Sequence, residues 1–256
     1  MKHVLKHIKI ALLICSMISS LTMLGQVTTK DSTRTVQLWS LSTGAHVPLF
    51  DLAKRYTPFA MISVDYAKKN TDGWIYGASF DAMYGTSVKN SDDIFGGLTD
   101  ESGNFMGVNG EFAIIQPGLS GAQVLVNTGK LFQSHYNANS GWVFMQGMGV
   151  TQSKIGLRNQ RGNLPQLDSP FLEGYDRLHR GLVTKTTLRY MHLDNKERVN
   201  YAFNILLNMG LTRSVRGFNI DTGLFDANYK FEAAVGASFT WFLPIYAKQE
   251  SFYLLD

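Results

Sequence analysis

Cysteine and proline are scarce in this sequence, and no long apolar run follows its first 25 residues. The only cysteine, Cys15, lies within those first residues, so a chain that has lost them can form no disulfide, cysteine metal site or cysteine nucleophile. A transmembrane helix needs about 20 consecutive apolar residues, and no later segment supplies them. The formal charge of +4 includes the early lysines, so the rest is close to neutral and gives no reason to expect nucleic-acid binding.

The first residues have the three parts of a secretory signal. Lysines form a positive start, an apolar stretch follows, and Gly25 provides a small residue for cleavage. A lipoprotein signal would instead acylate Cys15, but Ile14 before it is large where a small residue is expected. The sequence therefore predicts a signal peptide at residues 1–25 and one domain at residues 26–256.

The main structural signal is a two-residue alternation of apolar and polar side chains. Between Val199 and Leu211 the odd-numbered residues are all apolar, mostly large aliphatic or aromatic, and asparagines stand among the even-numbered ones. Successive side chains of a strand point to opposite faces, whereas a helix would mix the two sets around its circumference. The same alternation recurs around Ala60, Phe80 and Phe239, so it predicts strands throughout the chain.

We predict about eight strands, joined by connections that alternate in length. The predicted strands cover residues 36–48, 58–69, 73–86, 118–131, 141–155, 182–193, 198–213 and 230–243. Connections after the second, fourth and sixth strands are short, and long connections cover residues 87–117, 156–181 and 214–229. Short periplasmic turns and long outer loops are typical of outer-membrane barrels. The sequence thus predicts an all-β fold, a transmembrane antiparallel up-and-down β-barrel in the cell outer membrane with both termini in the periplasm.

A soluble periplasmic β-sandwich would show the same alternation, because its apolar faces meet in a core. Three features favour the membrane instead. Several strands are long enough to cross a bilayer when tilted, the connections sort by length, and aromatic residues gather near strand ends, where membrane interfaces lie. These residues are Trp39, Phe59, Trp74, Tyr84, Trp142, Tyr190, Tyr201 and Trp241.

The polar faces of the strands predict a network of side chains inside the barrel. An eight-stranded barrel is just wide enough for its own side chains to fill it, so charges inside must pair and form hydrogen bonds. We favour a structural plug, and the alternative is a narrow gated channel or proton path. The predicted network comprises Asp65, Asp81, Lys185, Arg189, Asn200, Asn204, Asn208 and Glu232, with His46 if the first strand has the assumed phase.

No catalytic, metal or cofactor site is indicated. The histidines do not share a metal-ligand spacing, and no G-x-S-x-G motif marks a hydrolase. A barrel-embedded lipid-modifying enzyme stays open as an alternative, because a Ser–His–acid set is recognised by geometry and not by sequence.

The predicted outer loop at residues 159–180 mixes basic, acidic, aromatic and proline residues. Long ordered loops on a rigid scaffold often bind partners. Candidates for such an interaction are Arg161, Tyr175, Asp176 and Arg177. The alternative is a self-packed cap over the mouth of the barrel.

Three stretches of the sequence resemble an uncharacterised outer-membrane β-barrel family of the Bacteroidota. They are PQL at 165–167 followed by GYDRL at 174–178, RGFNID at 216–221, and WFLPIY at 241–246. More broadly, the chain is similar to OmpA-like eight-stranded barrels. The resemblance implies location and fold but no established reaction, so no catalytic residue is carried over. Because small barrels of that phylum sometimes accompany secretion or gliding machinery, it implies a non-enzymatic structural or accessory component of an envelope or secretion assembly. Its partners would be outer-membrane lipid and proteins of that assembly.

Overall fold

Eight long antiparallel strands form the framework of the computed structural model. The structure describes residues 35–100, 104–107, 110–134, 137–161, 167, 171–194, 200–220, 222–226 and 228–246. The predicted signal peptide at residues 1–25 lies outside the described residues. The strands are β1 Val36–Leu49, β2 Phe59–Lys69, β3 Trp74–Tyr84, β4 Phe112–Gln133, β5 Gly141–Arg161, β6 His179–Leu193, β7 Asn200–Ser214 and β8 Tyr229–Tyr246.

Short helices and strands occupy the connections. The α-helices are α1 Phe50–Arg55 and α2 Ser91–Phe95, and 3₁₀ turns cover Gly96–Leu98 and Phe171–Gly174. Two-residue strands cover Phe105–Met106, Phe218–Asn219 and Leu224–Phe225. No helix among the described residues is long and apolar enough to cross a membrane.

Each long strand pairs with the next one along the chain, and β8 pairs with β1. The ring runs β1-β2-β3-β4-β5-β6-β7-β8 and returns to β1, with every pair antiparallel. The fold is therefore a closed eight-stranded antiparallel β-barrel, which confirms the predicted fold class.

The barrel has a turn end and a loop end. The turn end carries the short β2–β3, β4–β5 and β6–β7 connections, and the loop end carries the long ones. Val36 pairs with both Tyr246 and Lys69, so the first and last described strands begin and finish at the turn end.

Alternation along the strands determines which side chains enter the barrel. In β7, Phe203 and Ile205 are 57% and 60% exposed on the outer surface, whereas Asn204 between them is 3% exposed and faces the lumen. The outer surface is thus apolar and much of the interior polar, the reverse of a soluble protein.

The β4–β5 hairpin is longer than the sequence predicted. The residues predicted as loops at 112–117 and 156–161 belong instead to strands, which pair up to Ile114 and Arg161. Pro117 has no backbone N–H to donate, which suits it to an edge. β3 ends at Tyr84, opposite Ser120, so it does not cover this part of β4.

Glycines in this hairpin permit close approach between backbones and do not mark turns. Gly118 lies opposite Gly156, and a Cβ atom at Gly118 would stand 2.1 Å from the carbonyl oxygen of Gly85. The prediction of a loop here was wrong because a glycine required by packing and a glycine required by a turn look alike in sequence.

Two apolar clusters fill the two ends of the interior. The turn-end cluster contains Val36, Leu38, Ala67, Ile75, Leu131, Val143, Met145, Met191, Leu193, Ala202 and Phe242. The cap cluster, at the loop end, contains Leu52, Tyr56, Phe59, Met61, Val88, Ile94, Phe95, Phe105, Ala113, Leu119, Ile155, Leu167 and Ala234. The sequence predicted a structural plug of polar side chains, and the structure places that polar network between two apolar layers.

Candidate functional site

A buried ion pair occupies the middle of the lumen. The Nζ atom of Lys185 lies 2.7 Å from an Oδ atom of Asp81, and Asp81 is fully buried. Gln123 donates a 2.6 Å hydrogen bond to the same carboxylate, and Lys185 donates a second bond, of 3.3 Å, to Ser79. Gln123 also reaches Asn208 at 3.5 Å, so the pair links β3, β4, β6 and β7 across the barrel.

A second group of polar side chains lies closer to the turn end. The Nε atom of Arg189 donates a 2.6 Å hydrogen bond to Asn204, which in turn donates one of 2.7 Å to Thr240. The Arg189 guanidinium also lies 5.4 Å from the ring centre of Phe242 in the turn-end cluster. Asp65 accepts a 3.2 Å bond from Ser40 and is only half-buried.

A third group joins the lumen to helix α1 at the loop end. Arg55, on α1, forms a buried ion pair with Glu232 on β8. Arg55 also contacts the Nδ1 atom of His179 at 2.8 Å. The helix therefore enters the barrel mouth and brings a cation to a carboxylate that the strands alone leave unpaired.

Two of the predicted lumen residues have other surroundings. Asn200 accepts a 3.0 Å hydrogen bond from the backbone N–H of Asp194 and so belongs to the β6–β7 turn. The buried His46 stacks on Phe59 with ring centres 5.5 Å apart. Gly236 leaves room for that imidazole, because a Cβ atom there would stand 2.3 Å from it.

Sequence reasoning missed several members of the network, for different reasons. Gln123 and Ser79 follow the inward phase of their strands and could have been found by extending the alternation. Arg55 could not, because it comes from a helix whose inward folding has no signature in the strand pattern.

Two small cavities lie among the described residues of the lumen. A cavity of about 30 Å³ lies beneath the cap beside Gln123, Ser153 and Asn208. Another, of about 10 Å³, lies next to Arg189 and Asp65. A water molecule needs roughly 10–15 Å³ of cavity, so each cavity is of the size of one or two water molecules.

An interlock of two outer loops closes the loop end. Arg216, after β7, donates hydrogen bonds of 2.8 and 3.2 Å to the two carboxylate oxygens of Asp176 and one of 2.8 Å to Glu173. The hydrogen bond to Asp176 raises the pKa of Arg216. The backbone N–H of Ile220 also bonds to the carbonyl of Gly174 at 3.2 Å. A Cβ atom at Gly174 would lie 2.0 Å from the Cδ1 atom of Ile220, so a larger residue there would have to displace the Ile220 side chain.

The interlock continues into the cap cluster. The backbone N–H of Ile155 bonds to the carbonyl of Asp176 at 2.7 Å, and the Tyr175 ring stacks on Phe95 with centres 6.0 Å apart. Tyr56 is fully buried beneath these residues, and burial raises its pKa to about 12. Three outer loops and helix α1 thus form one packed cap.

The predicted loop-binding residues occupy different positions in this cap. Asp176 is 2% exposed and Tyr175 packs against the cap cluster, so both hold loops together. Arg177 has a left-handed backbone with φ of 43°. The Arg161 side chain lies outside the described part. Binding of a partner by these four residues stays a prediction.

Potential metal-ligating side chains are dispersed over the described ranges of the chain. Within these ranges no group of three or more His, Cys, Asp or Glu side chains could hold a metal ion.

The solved structures compared with this chain include distant likenesses. No protein-family model matches the chain, and no curated protein matches it in sequence. A solved structure of Ail, the attachment invasion locus protein of Yersinia pestis, in complex with the heparin analogue sucrose octasulfate is 11% identical. The match covers 81% of this chain and 99% of that one, with a TM-score of 0.41.

Neisserial surface protein A is 8% identical, covering 80% of this chain and 96% of that one, with a TM-score of 0.35. Both scores are below 0.5, and the assignment of the fold rests on the strand pairing alone. The resemblance to a Bacteroidota family remains a prediction.

The central ion pair generates a double-substitution prediction. Lys185→Met should lower the free energy of unfolding by about 3–5 kcal/mol, because it leaves the Asp81 carboxylate buried without its cation. Lys185→Met combined with Asp81→Leu should recover most of that loss, since no buried charge remains. Urea unfolding of the barrel in lipid vesicles measures both. Equal losses in the single and double variants would show that the pair is not coupled.

The loop interlock generates a second prediction. Arg216→Gln should raise hydrogen exchange at the Ile220 amide about tenfold, because charge-assisted bonds to a buried carboxylate are lost. Lys89→Gln removes one exposed charge from another outer loop and should leave that exchange unchanged. If Ile220 exchanges at the same rate in Arg216→Gln as in the wild type, the interlock does not hold the cap.

Proposed function

We propose that this chain is a sealed, non-conducting β-barrel of the cell outer membrane, and that its cap serves as a docking platform in an envelope or secretion assembly. The observation that carries the proposal is the combination of an apolar outer wall with a filled interior. This proposal has three parts, which are membrane placement, closure and docking.

An apolar belt surrounds the outside of the barrel. Trp74 and Tyr84 stand at the two ends of the outer face of β3, so at ~3.3 Å per residue and ~40° tilt the belt is about 25 Å high, the height of a transmembrane barrel's apolar band. Water would be a poor solvent for such a surface, and lipid a good one. Exposed belt residues include Leu41, Val47, Ile62, Val64, Phe80, Val124, Val126, Met148, Val150, Leu182, Leu188, Phe203, Ile205 and Leu211.

Aromatic pairs mark both edges of the belt. At the turn end, ring centres lie 4.9 Å apart for Trp39 and Tyr66 and 5.4 Å apart for Trp142 and Tyr190. At the loop end, Phe50 and Phe231 are 5.1 Å apart. Such girdles suit the two interfaces of a bilayer, whereas a soluble sandwich would bury its aromatics between two sheets.

The layered interior supports closure. An ion moving along the barrel axis would have to displace the turn-end cluster, the central ion pair and the cap cluster in turn. Moving a charge through apolar side chains is costly, so the arrangement favours a plug over the alternative of a narrow channel.

The cap supports a docking role at the loop end. It is held by hydrogen bonds and packed aromatic rings, so a partner would meet a preformed surface and lose little loop entropy on binding. We place the loop end outside the cell and both termini in the periplasm, the usual arrangement for short turns and long loops.

One set of measurements tests the three parts separately. The protein should fractionate with the outer membrane and show heat-modifiable gel mobility, and recovery as a soluble protein would contradict membrane placement. Planar bilayers should show no conductance steps with the wild type or with Asp81→Ala. Steady conductance from the folded wild type would contradict closure.

Docking is tested by purification in mild detergent. A defined partner should remain with the wild type and be reduced in Arg216→Gln, whose interlock is broken, but not in Lys89→Gln. A barrel that always purifies alone, with folding confirmed by gel mobility, would contradict the platform.

A further inference from the structure

Two unpaired arginines lie side by side on the outer wall at the loop end. Arg180 on β6 is the direct cross-strand partner of Arg213 on β7, and both side chains are exposed on the outer face. Within the part of the chain that the structure describes, neither makes an ion pair or a hydrogen bond from its side chain. Like charges placed directly opposite each other destabilise a sheet, and no carboxylate among the described residues pairs with either arginine to offset that cost.

Among the described residues, the surroundings add positive charge, and the nearby carboxylates have other partners. Gln152 is the cross-strand partner of Arg180 on the other side and provides an amide donor. Lys154, two residues further along β5, is a diagonal neighbour at roughly 7–8 Å, within reach of its long side chain. Two carboxylates near this end are engaged elsewhere, since Asp226 bonds to Lys230 and Asp176 to Arg216.

The arginines lie immediately above the apolar belt. Leu182 and Leu211, two residues nearer the barrel's middle on the same strands, are also direct partners and are 58% and 52% exposed. The Arg213 guanidinium lies 5.8 Å from the ring centre of Tyr229, which is 68% exposed. The two arginines therefore lie next to the two leucines, at the level where the apolar belt ends.

We propose that Arg180 and Arg213 form a binding site for the phosphate of a lipid headgroup in the leaflet at the loop end. Two guanidinium groups can each give paired N–H donors to phosphate oxygens, and the phosphate charge removes their mutual repulsion. Acyl chains of the same lipid lie along Leu182 and Leu211, so a phosphate attached to such chains gains apolar contacts that free phosphate lacks. The site deepens the proposed function, because it rests on the membrane placement proposed above.

The test uses the full mature barrel in phosphatidylcholine nanodiscs. Each disc contains a small fraction of lipid A carrying its two phosphates, or the same lipid with the phosphates removed. Native mass spectrometry counts the lipid A retained by the barrel. The variant is Arg180→Gln with Arg213→Gln, and the control is Lys54→Gln with Lys89→Gln, which removes the same charge from exposed positions at the same end.

The wild type and the control should retain phosphorylated lipid A. The arginine variant should retain at most roughly one tenth as much, because several charge-assisted hydrogen bonds to the phosphate are lost. Retention by the wild type should fall at high salt and on removal of the lipid phosphates. The arginine variant should fold at least as well as the wild type, since it lacks the repulsive pair.

Equal retention by the folded arginine variant and the wild type would overturn the lipid site and leave the membrane placement intact. Complete displacement of lipid A by millimolar inorganic phosphate would overturn the lipid part of the site, because the acyl chains would then contribute nothing. Failure of the wild type to enter nanodiscs, seen as loss of heat-modifiable mobility, would overturn the membrane placement and the site together.

Discussion

The pairing of the first strand with the last is the interaction on which the rest of the structure depends. All of β1, from Val36 to Leu49, pairs with β8, from Ala233 to Tyr246, and this pairing turns an open sheet into a ring. Backbone groups at an open edge would need water or another chain, and neither is present in lipid. Closure also gives every strand one inner and one outer face, from which the apolar wall and the filled interior both follow.

Burying charged side chains in the interior costs free energy, and the layered arrangement of the lumen limits that cost. Buried charges such as Asp81, Lys185 and Arg189 are expensive, and each has partners in the lumen. Apolar clusters at both ends keep bulk water away from this layer, which strengthens its electrostatic interactions. At the loop end, Arg55 on helix α1 reaches Glu232, so the cap and the lumen form a continuous packed structure. This continuity supports the proposed docking platform, because a movable cap would have to break the Arg55–Glu232 ion pair.

The alternation in the sequence was sufficient to predict which residues face inward in most strands, because the pleat has a strict period of two and the outer face is apolar. The prediction failed where the inward and outward side chains of a strand are both apolar. Met191 and Leu193 point inward but are apolar, so nothing in the pattern marks the turn-end cluster. The loop-end parts of strands β4 and β5 were predicted as loops because Pro117 and Gly156 are residue types that are common in turns.

The candidate site was predictable only in part, for a related reason. Asp81 and Lys185 lie on inward faces of different strands, and their pairing follows from closure and register, which one sequence does not specify. The interlock of Asp176 with Arg216 joins two connections whose conformations no periodicity describes. The arginine pair on the outer wall likewise becomes visible only when the register of β6 and β7 is known.

The central claim is that the outer wall contacts lipid while the inner wall is sealed from it, and neighbouring residues of β7 test it most directly. Ile205 is 60% exposed on the belt and Leu206 is 8% exposed in the lumen. A fluorophore attached to Ile205→Cys, in vesicles containing bromine-labelled acyl chains, should be strongly quenched, and one attached to Leu206→Cys should not. Equal quenching at the two positions, or none at Ile205→Cys in the folded barrel, would contradict the account.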